Sequence, residues 1–350
     1  MLSICVKHPL GRFHKKTFLN EVLMLIDLVI RYYGTQARSL QPLKSESGKR
    51  MYRIEGAWER PWVLRAYPPE SEDDVQALVT VLSFLEEREY PAERLIRAGD
   101  GSFVVAHDGW RLVVTTFVEG SPVDYEPPTL RLLGATLGRL HALQPIATTS
   151  AVLPLAQMRP VNEISWTLSQ ITGVKAQVPK HLYARYDTLV AALHNIRPCE
   201  ELPRVVIHND CHTANAVRTS AEQVVLIDWE GAGLGPAVID VGFLLSSSDT
   251  ESLWTPSLPP DPSRVAAIVD GYCQYHMLTP AELEYLPDAI RFRAIVYGAC
   301  SFAASVVRYG KEDENLWWWR RYNAAEEIAE RARKQFESNQ PGETRSVSPG

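Results

Sequence analysis

Cysteine is scarce here: five among 350 residues, at Cys5, Cys199, Cys211, Cys273 and Cys300, an odd number with no Cys-x-x-Cys pair. That excludes a zinc ribbon and a disulfide framework and fits a reducing compartment, so a cytoplasmic location is expected. A basic excess is also lacking. The 36 Lys and Arg face 42 Asp and Glu, for a net charge of −6, which argues against a nucleic-acid partner. The apolar stretch Val22 to Ile30 is interrupted by Asp27, and Lys7, Arg12, Lys15 and Lys16 precede it. It is too short to span a bilayer and reads as neither a secretory leader nor a membrane anchor, but as an amphipathic helix packed on the domain. Met24 offers an alternative start. No internal repeat is visible. What is present is 45% hydrophobic residues, enough for a sizeable core, and enough length for two lobes.

The periodicity changes along the chain. Lys16 to Tyr33 has helical spacing, with Gly34 as its C-cap. Strand patterns follow at Ser39 to Lys44, Arg50 to Glu55 and Trp62 to Tyr67. Between the first two lies the polar turn Ser45-Glu46-Ser47-Gly48-Lys49, with a single glycine. Ser71 to Glu89 is helical, with acids in its first turn. Phe103 to His107 and Trp110 to Phe117 form a hairpin about Asp108-Gly109. This predicts about five antiparallel strands with one helix inserted after the third. Glu119-Gly120-Ser121-Pro122 breaks the pattern, and helices then dominate: Leu130 to Leu143, Asn162 to Ile171, His181 to Ile196, Pro236 to Leu245, Pro262 to Met277, Pro280 to Tyr309 and Glu312 to Phe336. Thr279-Pro280-Ala281-Glu282 is a capping box. The fold class expected is therefore α+β. Residues 1–34 form an N-terminal segment with its helix, 35–118 a small β lobe, 119–337 a larger, mostly helical lobe, and 338–350 a disordered tail. A hinge falls near 115–122, and a ligand cleft between the lobes follows from it.

The chemistry sits in Val205 to Asn215, V-V-I-H-N-D-C-H-T-A-N, and Val224 to Glu230, V-V-L-I-D-W-E. Asp210, Asn215 and Asp228 fall just past two short apolar strands. One carboxylate there can orient an attacking hydroxyl and take its proton. An amide oxygen and a second carboxylate can hold Mg²⁺ on nucleotide phosphates. His208, Asp210 and His212 alternate, which could also be a metal-hydrolase cluster. That alternative leaves Asn215, Asp228 and the N-terminal sheet without a role.

His208-x-Asp210-x4-Asn215, Ile227-Asp228-Trp229-Glu230, Asp240 after Gly235-Pro236, and the helix Leu133-Gly134 to Leu140-His141 resemble the aminoglycoside phosphotransferase and choline kinase family over about residues 24 to 310. The resemblance implies a two-lobed, protein-kinase-like fold and an ATP-dependent phosphotransferase, with GTP as the alternative nucleotide. The acceptor would be a small-molecule hydroxyl, aminoglycoside-like, an amino alcohol or another metabolite. By resemblance, Asp210 is the catalytic base, Asn215 and Asp228 hold Mg²⁺, His208 braces the loop, and Asp240 accepts backbone N–H groups from it. Arg65 stands where the family places a basic residue on the phosphates. The turn with Ser47 and Gly48 would cover them, and Thr115 to Val118, with Thr116 and Val118 foremost, would meet the adenine. The family's inserted helix offers a Glu to that basic residue. Here the matching position falls near Leu78, and Asp74 is the substitute.

Departures from the pattern are Asn209 in place of a Gly and the single glycine of the phosphate turn. The single-glycine turn and the missing helix acid leave a second reading: a weak or inactive nucleotide-binding regulatory module of the same fold. A protein kinase fits less well, because no Ala-Pro-Glu follows Asp228 and the path to Asp240 is too short for an activation segment. Seven acids from Asp249 to Asp288 (Asp249, Glu251, Asp261, Asp270, Glu282, Glu284, Asp288) against one base, Arg264, are either a wall for a cationic acceptor or solvated helix faces. Trp317-Trp318-Trp319 on a helix should bury at least one ring, in the core or against a partner. A monomer or homodimer is expected.

Overall fold

The computed structural model describes residues 25–43, 49–144, 153–157, 160–247, 261–311 and 317–340. Alternating apolar residues make five strands in the first third: β1 (Ala37–Leu43), β2 (Arg50–Gly56), β3 (Trp62–Tyr67), β4 (Val104–His107) and β5 (Trp110–Thr116). They pair antiparallel in the order β1-β2-β3-β5-β4. The β4–β5 turn uses Asp108 and Gly109 at φ 46° and 81°, the positive values that a two-residue hairpin demands. One face of the sheet is covered by the helix at residues 25–33 (α1), whose Leu25, Leu28 and Val29 pack with Ile54, Leu64, Leu112 and Val114. Gly34, at φ 63°, ends α1 by donating its N–H to Ile30 O at 3.0 Å. The other face meets α2 (Glu72–Glu87), inserted between β3 and β4, through Val75, Leu78, Leu82 and Leu85.

The rest of the chain is mostly helical: α3 (Pro127–His141), α4 (Pro160–Gly173), α5 (Tyr183–His194), α6 (Ala237–Ser247), α7 (Pro262–Tyr272), α8 (Pro280–Tyr309) and α9 (Trp317–Ser338). Two small sheets carry the motif region. One joins β6 (Ser121–Pro122), β8 (Ala216–Ser220) and β9 (Gln223–Leu226); the other pairs β7 (Val205–Ile207) with β10 (Gly233–Gly235). This is the two-lobed α+β architecture that the sequence implied, with element boundaries within a few residues for most elements. The largest difference within the described residues is Pro262 to Met277, which ends early at Tyr272; the expected helix starts at Lys16 and Glu312 lie outside the described residues. The expected disordered tail lies, from residue 341, outside the described residues.

The glycines of the Leu133–His141 motif have a packing reason. A Cβ on Gly134 would sit 2.1 Å from Ile268 O, and one on Gly138 would sit 2.4 Å from Tyr272 O. The motif thus lets α3 lie backbone-close against α7, which delivers His141 at the end of α3 to the site below. α8 is long and apolar enough, by length and composition, to cross a membrane. Its apolar residues Leu286, Ala289, Ile290, Phe292, Ile295 and Val296 are buried in the core of the helical lobe. Its capping box is formed: Thr279 N donates to Glu282 Oε2 at 3.0 Å, and Glu282 N donates to Thr279 Oγ1 at 3.3 Å.

Candidate active site

β7 is apolar because it is sandwiched in the helical lobe; when it ends at Ile207 the chain turns sharply through His208 to Asn215. Asn209 takes φ 68°, a left-handed conformation that Asn tolerates better than other non-glycine residues. Buried Asp240, in the first turn of α6, accepts the N–H of His208 and of Asn209, each at 2.7 Å. Asp240 is itself met by His141 Nε2 at 3.2 Å, and His141 Nδ1 lies 2.8 Å from Tyr272 OH. Arg293 of α8 donates to Asn209 O. The loop is therefore held from three helices. Within it, Asn215 Nδ2 donates to Asp210 Oδ2 at 2.8 Å and to Asp210 O at 3.0 Å. The Asn215 amide nitrogen is thus committed, and its oxygen is the atom it can offer. Burial alone would raise the Asp210 carboxyl. The His212 imidazole beside it, with Arg293 and His208, outweighs burial and holds it well below the usual carboxylate range.

The Asp228 segment is tied to this loop. Ile227 N donates to Asn215 O at 2.9 Å, and His208 Nε2 lies 2.9 Å from Ile227 O. Trp229, fully buried, packs 4.6 Å from the His208 ring. Asp228 has φ 68° and receives support across the lobes, its N–H bonding to Glu93 Oε1 at 3.1 Å. Asp210 Oδ1 and Asp228 Oδ1 are buried carboxylate oxygens without a hydrogen-bond partner, the second with the Lys49 ammonium at 3.6 Å. Such orphans are costly unless a cation or proton donor meets them. An amide oxygen and a carboxylate are hard donors, so this set fits Mg²⁺ shared with phosphate oxygens. Among the described residues, no group of three or more His, Cys, Asp or Glu could hold a metal; the His208-Asp210-His212 alternative gains no support.

The acid partner of Arg65 is Glu93, not Asp74. Arg65 Nη2 donates to Glu93 Oε2 at 2.7 Å, and Arg65 Nη1 donates to Thr115 Oγ1 at 2.7 Å. Asp74 lies at the exposed start of α2 and accepts from Gln157 Nε2 at 2.8 Å. The physical reason is that β3 is covered on both faces, so an acid must reach Arg65 from inside. The loop after α2 brings Glu93 there, 3% exposed. Burial opposes the Arg65 charge, yet Glu93, helped by Tyr67, Glu230 and Asp228, raises its pKa above the ordinary arginine value. Glu230 accepts from Tyr67 OH at 2.6 Å and from Lys49 Nζ at 2.5 Å. Lys49 Nζ also lies 3.6 Å from Asp228 Oδ1.

Ser47 and Gly48 lie outside the described residues. Thr116 donates its N–H to Arg94 O at 2.8 Å and accepts the Arg94 N–H on its hydroxyl at 2.9 Å, so its N–H is not presented to an adenine. Val118 follows two residues past the end of β5. Asp249 and Glu251 also lie outside the described residues. The other five acids of that run have structural tasks. Asp261 caps α7, Glu282 closes the capping box, Glu284 and Asp288 pair with Arg197, and Asp270 accepts from Gln335 and Asn339. Of the three tryptophans, Trp318 is buried and stacked on Tyr297, while Trp319 stacks on Tyr322.

Sequence reasoning named no role for Glu93, Glu230, His141 or Arg293, and named Lys49 only as the end of the phosphate-covering turn Ser45 to Lys49. Two of these carried a signal: Arg293 is a charge inside an otherwise apolar helical run, and His141 closes a motif helix. Glu93 carried none, since its partners stand 28 and 135 positions away.

Residues 39–286 match the phosphotransferase enzyme family, APH. "Stress response kinase A" of Salmonella paratyphi A is 23% identical over 270 residues, covering 74% of this chain and 75% of the relative. "Serine/threonine protein kinase RdoA" of Salmonella typhimurium aligns with the same identity and coverage. Among solved structures, amicoumacin kinase hAmiN, in complex with AMP-PNP, Ca²⁺ and Ami, superposes with a TM-score of 0.63 at 16% identity, covering 94% of this chain and 97% of that one. With the family match spanning most of the chain, and a two-lobed fold to go with it, the protein belongs to the phosphotransferase enzyme family and is a phosphotransferase.

Proposed function

We propose that the protein transfers the γ-phosphoryl group of ATP to a hydroxyl of a small molecule, with Asp210 as the base. The observation that carries this reading is the Asp210–Asn215 pair set beside Asp228, with one orphaned buried carboxylate oxygen on each acid. Asn215 and Asp228 would hold Mg²⁺, which neutralises charge on the nucleotide phosphates. Arg65, fixed by Glu93, lends positive charge to the phosphate side of the cleft, and the turn with Ser47 and Gly48 covers it. The stretch from Thr116 to Val118 borders the base. His208 and Asp240 keep the loop in shape.

Asp210 orients the acceptor hydroxyl. Its pKa, held low by His212, Arg293 and His208, keeps it ionised across the physiological range. A base that weak takes the proton only as the new P–O bond forms, which suits a loose transition state governed by positioning and charge. ATP is the proposed nucleotide, with GTP the alternative. The acceptor is aminoglycoside-like, an amino alcohol or another hydroxylated metabolite. A cationic acceptor would have Glu163, in the first turn of α4, as a counter-charge: its buried Oε2 has no hydrogen-bond partner, although burial raises its pKa and works against that charge. We place the enzyme in the cytoplasm, as a monomer or homodimer.

The relative named a serine/threonine protein kinase favours a second reading, a peptide hydroxyl as acceptor. Against it, the path from Asp228 to Asp240 holds only β10 and the start of α6, with no room for a segment that would seat a peptide. The regulatory-module alternative loses one of its supports, because the acid missing from α2 is supplied by Glu93. The deciding experiment is an acceptor screen of hydroxylated metabolites and peptides with ATP and with GTP, reading nucleoside diphosphate release. Asp210→Ala is expected to lower turnover by about 10²- to 10⁴-fold and to leave nucleotide binding intact. Turnover of that variant at the wild-type rate would remove Asp210 from the role.

A further inference from the structure

Asp240 holds the loop that carries Asp210, and a second set of contacts holds Asp240. Both oxygens of this buried carboxylate accept backbone N–H groups, Oδ2 from His208 and Oδ1 from Asn209. His141 Nε2 meets Oδ2 at 3.2 Å. That contact attracts only with a hydrogen on Nε2, because a ring lone pair facing a carboxylate oxygen repels it. The other ring nitrogen, Nδ1, lies 2.8 Å from Tyr272 OH, contributed by a residue 131 positions away at the end of α7. Which imidazole nitrogen carries the hydrogen is set by the bond that the other one makes. Burial, with Glu282 and Asp240, pushes the Tyr272 hydroxyl well above the ordinary phenol value, so it keeps its hydrogen and can donate to Nδ1. The residue that carries this hydroxyl is pinned. Gly138 brings the α3 backbone so near Tyr272 O that a Cβ there would sit at 2.4 Å, and the Phe336 ring of α9 stands edge-on at 6.0 Å.

We propose that Tyr272 is a positioning residue for the catalytic loop: by donating to His141 Nδ1 it fixes the hydrogen on Nε2 and aims that nitrogen at Asp240. The assignment rests on the reading of Asp210 as the base and deepens it. Without the hydroxyl, Nδ1 is a buried lone pair with no donor, in a side chain that has no exposed surface. An unmet buried acceptor is costly. The cost is relieved by turning the ring or by admitting water, and either one spoils the donation to Asp240. Asp240 then grips the His208 and Asn209 amides less firmly, and the loop that presents Asp210 samples more conformations. The effect travels through a hydrogen bond and not through packing, since phenylalanine keeps the Tyr272 ring and removes only its oxygen. Nucleotide contacts lie elsewhere in this reading, on the Asp228 and Arg65 side, so turnover should suffer and nucleotide affinity should not.

The test compares the full chain as wild type, Tyr272→Phe, His141→Gln and the double variant. Glutamine can place an N–H donor where Nε2 stands and needs no partner on Nδ1. Three readouts are taken: the ring-nitrogen NMR signals of His141, identified by their loss in His141→Gln; hydrogen exchange of the His208 and Asn209 amides against amides in the core of α8; and ADP release from Mg-ATP, with water and with the acceptors of the screen above. Wild-type His141 should carry its hydrogen on Nε2. Tyr272→Phe should speed exchange at His208 and Asn209 by about three- to tenfold, the worth of one neutral hydrogen bond, with α8 unchanged. Its kcat should fall by a similar factor while KM for ATP stays within about twofold. In the His141→Gln background the same change should do little more. A wild-type His141 with its hydrogen on Nδ1 overturns the assignment, and that measurement needs no variant to fold. Equal effects of Tyr272→Phe in both backgrounds, or faster exchange in α8 as well, also overturn it, since both mark a general structural role. A wild type that releases no ADP with water or any acceptor overturns the phosphotransferase reading and this assignment together, whereas a Tyr272→Phe indistinguishable from an active wild type overturns this assignment alone.

Discussion

Glu93 binds Arg65 across 2.7 Å with one carboxylate oxygen and supports the Asp228 N–H at 3.1 Å with the other. One buried side chain thus joins the central strand of the β lobe to the segment that carries a proposed metal ligand. The two sides of the proposed nucleotide cleft share a hinge pin.

Glu93→Ala should therefore leave Arg65 as an uncompensated buried charge and cost about 3–5 kcal/mol of stability, measured by urea denaturation. The double variant Glu93→Leu with Arg65→Met should recover much of that loss, because a well-packed apolar pair often replaces a buried ion pair without penalty. A double variant as unstable as the sum of its singles would deny the coupling.

Asn209 holds φ 68° while its side chain bonds Gly231 O at 3.1 Å. Asn209→Gly should keep the catalytic loop, since glycine enters this conformation freely. Asn209→Ala should lose about 1–2 kcal/mol to left-handed strain, plus the side-chain contacts. Thermal melts of the two variants order them, and an alanine variant as stable as the glycine variant would contradict the strain argument.

Asp228→Ala should abolish the metal-dependent part of nucleotide binding. Calorimetry with ATP should show a large Mg²⁺-dependent gain for wild type and little for the variant. An undiminished gain would take Asp228 out of the metal's reach.

His276 gives the stability a pH dependence of known sign. Burial, with the charge of neighbouring His141, lowers its pKa from 6.5 to about 4. A depressed folded-state value means that the unfolded chain binds the proton first. The His276 contribution is whole above pH 6.5 and is lost as the pH falls toward 4. His276→Asn should flatten the wild-type decline in melting temperature over that window. An identical decline in both proteins would show that other groups carry it.

Most of the architecture was legible in the chain itself. Strand alternation located β3 to the residue, and the capping box at Thr279 located the start of α8, because these signals lie within a few positions of each other. The Asp210–Asn215 pair was legible for the same reason: five residues in one loop cannot help being neighbours. Asp74 was a wrong partner for Arg65 because helical spacing assumes that the acid comes from α2. The side of β3 where Arg65 emerges is reached instead by the loop beyond that helix. The acidic run to Asp288 looked like a possible wall only because composition is blind to caps and to Arg197.

The sequence by itself determined the order of elements and the loop in which Asp210 and Asn215 meet. Only the tertiary structure decided which distant side chains meet: Glu93 with Arg65 inside the β lobe, His141 with Asp240 inside the helical lobe, and Lys49 with Glu230 between the two. The reason is physical. Local structure follows from steric and hydrogen-bonding preferences among near neighbours. A buried polar pair between residues 28, 99 or 181 positions apart exists because buried polar groups must find partners once packing has removed the water, and packing is a property of the whole fold.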